Sequence, residues 1–108
     1  PVKTDQFRPK GLLMKLATWN INSVRLRLPL VLQFLQELEI DVLCLQETKT
    51  EDRYFPAAAF AEAGWSHQVF RGEKSYNGVA IISRHALNSS ADISFILTPF
   101  FLKTLTDA

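Results

Sequence analysis

Lys15-Leu16-Ala17-Thr18-Trp19 runs into the polar stretch Asn20-Ile21-Asn22-Ser23. Later in the chain, Asp41-Val42-Leu43-Cys44-Leu45 runs into Gln46-Glu47-Thr48-Lys49. The first stretch has the β-branched and aromatic content of a strand entering a core. The second is continuously apolar, as suits a strand buried on both faces. Between them Leu30, Val31, Phe34, Leu35 and Leu38 recur with helical spacing and predict one apolar face of a helix over Val24 to Leu38. Pro29 is tolerated only in a first turn, so the regular helix is expected to begin near Leu28. Strand, helix and strand in this order predict a crossover between parallel neighbours.

Outward from this unit, Pro56 to Ala63 is Ala-rich. Pro56 suits the first helical position and Gly64 a stop. Trp65 to Phe70 and Gly78 to Ser83 read as strands, with Asn77-Gly78 as the hairpin turn signal between them. The fold class is therefore α/β with a mixed sheet, the first pair parallel and the last antiparallel. Residues 1–13 read as a leader ahead of Met14, residues 14–85 as a partial domain, and residues 86–108 as a divergent tail.

The 108 residues are 47% hydrophobic and 21% charged, which excludes a disordered chain. With 12 Lys and Arg against 11 Asp and Glu the net charge is +1, so a nucleic-acid partner has to be argued from local residues. The single Cys, Cys44, excludes an intrachain disulfide and a Cys-based zinc cluster, and the cytoplasm is the expected compartment. No apolar run approaches the length of a membrane span, and no membrane partner is expected. The oligomeric state is left open.

Ligands of open α/β sheets bind beyond the carboxyl ends of the strands. Parallel strands would bring Asn20 and Glu47 side by side there, as an amide and a carboxylate. Such a hard, oxygen-only pair suits Mg²⁺ or Mn²⁺ held against a substrate phosphate. Each also has a plainer reading, Glu47 as a solvated strand-end charge and Asn20 as a turn residue. Arg25 and Arg27 open the helix, where phosphates are favoured. Lys49 could neutralise a phosphate or pair with a carboxylate, and Tyr76 could stack on or bond to a nucleotide. His67, His85 and Cys44 have no triad surroundings and read as non-catalytic.

Three blocks, Ala17 to Arg25, Asp41 to Lys49 and Tyr76 to Arg84, resemble the exonuclease III family of DNA-repair nucleases. This is the apurinic/apyrimidinic endonuclease branch of the endonuclease/exonuclease/phosphatase superfamily. The resemblance runs from about Met14 to Arg84, and Leu45-Gln46-Glu47-Thr48-Lys49 is its most specific part. It implies a four-layer α/β sandwich of the DNase I-like kind. It also implies Mg²⁺-dependent hydrolysis of DNA phosphodiesters, both 3′→5′ from a duplex end and beside an abasic site. Glu47 matches the family's metal-binding glutamate, and Asn20 the asparagine of the metal and active-site network. Asn22 falls where relatives carry Asn or Asp near the site. Arg25 and Tyr76 match positions that approach the DNA backbone, and Lys49 supports the acidic network.

The family's later blocks, with the water-activating Asp, a second Asn and an Asp–His pair, are absent from these residues. The chain by itself is therefore expected to lack nuclease activity. Two alternatives stand beside the DNA nuclease. One is a phosphodiesterase or phosphatase of the same superfamily acting on a non-DNA substrate. The other is a non-catalytic remnant that binds nucleic acid or a partner chain.

Overall fold

The computed structural model describes residues 2–7 and 13–86. The sequence reading of the tail beyond Ala86 lies outside these residues. Five strands form one mixed sheet: β1 (Val2–Phe7), β2 (Met14–Asn20), β3 (Val42–Gln46), β4 (His67–Glu73) and β5 (Tyr76–Ser83). Their spatial order is β1-β2-β3-β5-β4. Strands β2 and β3 are parallel, with Leu16 opposite Val42 and Asn20 opposite Gln46. The other neighbours are antiparallel.

Helix α1 (Leu28–Glu37) is the crossover, with Pro29 in its first turn as expected. The buried line of α1 is Val31 and Leu35, flanked by Leu28, Leu32 and Phe34. Leu30 and Leu38, assigned from spacing to the same face, are instead largely exposed. Leu30 lies about 100° round the helix from Val31, and Leu38 caps a helix that has already ended. The chain leaves α1 through a left-handed Glu39. The Glu39 N–H donates to Gln36 O at 3.4 Å and the Ile40 N–H to Leu35 O at 3.1 Å, closing a Schellman motif.

Helix α2 (Ala57–Glu62) ends in the same way at Gly64, whose φ is +115°. Pro56 stands at its N-cap, one position earlier than expected. Trp65 lies outside β4; its indole is buried and donates to Ile40 O at 2.8 Å. Both helices pack on the sheet face formed by Ala17, Trp19, Leu43, Leu45, Phe70, Ala80 and Ile82. Phe55 stacks on Phe70 at 4.2 Å between ring centroids and touches Phe60 at 5.8 Å. All four residues Val42–Leu45 are buried, as their unbroken apolar run predicts.

Two sequence expectations shift. Strand β1 falls within the stretch read as a leader, and all six of its residues pair with β2 at the sheet edge. The β4–β5 hairpin turns at Lys74-Ser75, and Asn77-Gly78 lies inside β5. There Arg71 pairs with Val79 and Glu73 with Tyr76, so the register slips by one residue in a bulge. Asn77 and Gly78 have the positive φ that a hairpin turn needs, but they spend it on the bulge.

Candidate active site

Parallel pairing places Asn20 and Gln46 at the same height, so the chains leaving β2 and β3 run on together. Backbone bonds keep them together: Ile21 N–H to Gln46 O at 3.0 Å, Ser23 N–H to Glu47 O at 2.9 Å and Val24 N–H to Thr48 O at 3.0 Å. From the other side the β5 bulge contributes two carbonyls. Lys49 N–H donates to Asn77 O at 2.8 Å and Thr48 N–H to Gly78 O at 3.3 Å. The Glu47–Lys49 segment is thus clamped between the Ile21–Val24 loop and β5.

The clamp twists the backbone. Seven described non-glycine residues have positive φ, and five of them lie here: Asn22, Ser23, Glu47, Lys49 and Asn77. Each left-handed non-glycine residue costs on the order of 1–3 kcal/mol, and such residues persist only where their surroundings over-determine them. Asn22 and Asn77 are of a type that enters this region readily, but glutamate and lysine give no local signal for a left-handed backbone.

The result is a convergence of polar side chains. The Asn20 amide Nδ2 donates to Glu47 Oε2, so the two residues meet at the strand tips. Lys49 Nζ donates to Asn22 Oδ1 and stands 3.6 Å from Glu47 Oε1. Glu47 and Lys49 remain 40% and 34% exposed, open to a ligand. Arg27 turns back to donate to Asn22 O at 2.8 Å, which fixes the loop. Arg25 reaches the ring of Tyr54 instead. The backbone of Tyr76 opens β5 beside the site; its side chain lies outside the described residues.

Two glycines let the clamp close. A Cβ on Gly78 would collide with Thr48 Oγ1, and one on Gly72 with Thr50 O. Thr48 and Thr50 are buried against them. Sequence reasoning missed Gly72 and both threonines.

At the opposite end of the sheet Asp41 gathers three donors: Lys15 N–H at 2.7 Å, Arg84 Nη2 at 2.7 Å and His85 Nε2 at 3.0 Å. Burial opposes its ionisation, but these bonds and the Arg84 charge outweigh burial and hold its carboxyl below the ordinary range. Arg84 also lies 5.6 Å from the Trp65 ring centroid. This group ties β2, β3 and β5 together far from Glu47, and accounts for His85 without a catalytic role.

Residues 17–105 match the Endonuclease/Exonuclease/phosphatase family. The chain belongs to this family. The match runs past Arg84, where the last of the three sequence blocks ends. An exodeoxyribonuclease of Bacillus subtilis (strain 168) is 35% identical over 74 residues, which are 66% of this chain and 28% of the relative. A DNA-(apurinic or apyrimidinic site) endonuclease 2 of Xenopus laevis is 35% identical over 80 residues, 72% of this chain and 16% of the relative. Among solved structures, a 3′ phosphatase from Neisseria bound to product DNA hairpin superposes with a TM-score of 0.63 at 52% identity. It is matched over 66% of this chain and 27% of its own. An AP endonuclease from Archaeoglobus fulgidus gives 0.65 at 45% identity, over 73% of this chain and 33% of its own. The chain thus spans about a quarter to a third of the structures it matches.

Proposed function

We propose that this chain carries the Glu47 half of the active site of a Mg²⁺-dependent DNA phosphodiesterase of the exonuclease III type. Such an enzyme trims 3′ ends of duplex DNA and incises beside abasic sites. The observation that carries the reading is the Asn20–Glu47 hydrogen bond at the tips of β2 and β3. The names of the matched relatives, an exodeoxyribonuclease, abasic-site endonucleases and a DNA-bound 3′ phosphatase, support DNA over other phosphate esters.

The residues present fit a hard divalent ion, weakly held. Glu47 offers a carboxylate, and with Nδ2 turned to it Asn20 acts by fixing that carboxylate's orientation. Among the described residues no three acidic, His or Cys side chains converge. One carboxylate supports a mostly hydrated Mg²⁺ or Mn²⁺ and leaves positions for substrate oxygens. Bound there, the ion supplies charge stabilisation for the phosphate and the leaving 3′ oxygen. The chain's own contribution is positional. The clamped backbone fixes Glu47, and Lys49 sets a positive charge between Asn22 and Glu47.

The test is a chimera in which residues 14–84 replace the matching segment of the Bacillus subtilis exodeoxyribonuclease. Incision of abasic duplex DNA with Mg²⁺, lost on Glu47→Gln, is the expected result. A folded chimera whose activity ignores Glu47→Gln would refute the reading. Hydrolysis of an inositol phosphate or phospholipid in preference to DNA would establish the non-DNA alternative.

A further inference from the structure

Tyr54 is half-exposed at the end of the 3₁₀ turn Asp52–Tyr54, and its ring has two arginines against it. The guanidinium carbon of Arg25 lies 5.3 Å from the ring centroid and that of Arg53 4.7 Å. The two come from segments 28 positions apart in sequence, so the ring joins the loop after β2 to the turn after β3. The turn itself is firmly seated. Asp52 Oδ1 accepts the Gly72 N–H at 2.7 Å, and Phe55, next in the chain, is buried on Phe70.

Like charges gathered on one ring call for an anion. Arg25 has no carboxylate partner among the described residues. Arg53 is met only by Glu51, through Nε at 3.2 Å, in a pair whose arginine is 72% exposed. An exposed pair of this kind is worth little and leaves both Nη groups to bind elsewhere. The separation of the guanidinium groups cannot exceed the sum of their distances to the ring, a span that takes in neighbouring phosphates of one strand. A ring under a guanidinium also reduces the side-chain freedom lost on binding.

We propose that Arg25 and Arg53, splinted by Tyr54, form a two-point clamp for successive phosphates of a DNA strand beside the Glu47 site. Tyr54 is the positioning residue and the two guanidinium groups make the contacts. The proposal rests on the DNA reading above, and adds Arg53 and Tyr54, which no sequence block singled out.

The experiment is fluorescence anisotropy of the 108-residue chain with a fluorescein-labelled duplex oligonucleotide over a salt series. Arg53→Gln is expected to weaken binding roughly 3–10-fold at low salt and to reduce the slope of log affinity against log salt by about one phosphate contact. Tyr54→Leu is expected to weaken binding to a similar degree, and Tyr54→Phe, which keeps the ring, to restore it within about twofold. Thermal melts of each variant should superpose on the parent, since both side chains are exposed. Binding that is unchanged by Arg53→Gln and Tyr54→Leu but weakened by Lys49→Gln overturns the clamp and leaves the DNA reading standing. No binding by the parent chain at low salt overturns both.

Discussion

The Thr48 hydroxyl occupies the space that a side chain on Gly78 would need. The Glu47–Lys49 segment after β3 therefore closes onto β5 only because β5 carries a glycine at its bulge.

Gly78→Ala should destabilise the fold by roughly 2–4 kcal/mol, combining a left-handed alanine with a clash against a buried threonine. Gly64→Ala makes a control. Its φ is also positive, but nothing lies within 4 Å of the new methyl, so the cost is only about 1 kcal/mol. Urea melts of both variants measure the difference, and equal costs would dissolve the proposed contact.

Glu39 holds the left-handed position that ends α1, where glycine is the favoured residue. Glu39→Gly should raise stability by about 0.5–1 kcal/mol despite the added freedom of the unfolded chain. A fall in the denaturation midpoint would show that the Glu39 side chain contributes more than its backbone costs.

Asp41 sets an acid limit. Its folded-state pKa lies below the ordinary 3.8, so the stabilisation is complete above 3.8 and drains away as pH falls through the lower folded value. Asp41→Asn should cost about 1–3 kcal/mol in neutral buffer, since charge-assisted bonds from Arg84 and His85 are lost. The gap between parent and variant should narrow only as pH falls below 3.8 and through the lower folded value. A gap that is constant from neutral to strongly acidic pH would contradict the assignment.

Burial pushes the Cys44 thiol up to about 12, and its neighbours along β3 are buried too. Labelling by a thiol reagent at mildly alkaline pH should therefore follow global unfolding, slow in buffer and fast in urea. Rapid labelling of the native chain would mean that the face of β3 away from the helices opens on its own.

Much of this arrangement was readable beforehand. Pro29 and Gly64 punctuated the helices, and the unbroken Val42–Leu45 run marked a strand buried on both faces. Where the reading slipped, a local signal had two uses. Asn77-Gly78 has the conformational freedom of a hairpin turn, but Lys74-Ser75 makes the turn and the bulge uses that freedom. Leu30 fits the helical period yet faces outward, because period alone does not say where the sheet ends.

From the chain alone came the succession of elements and the parallel crossover, and with them the meeting of Asn20 and Glu47 at one end of the sheet. These follow from side-chain periodicity and the order of the elements, which are properties of consecutive residues. The left-handed backbone of Glu47 and Lys49, the seating of Thr48 on Gly78 and the joining of Arg25 to Arg53 through Tyr54 emerged only in three dimensions. Each depends on contacts between segments far apart in sequence, which leave no period or propensity in either segment by itself.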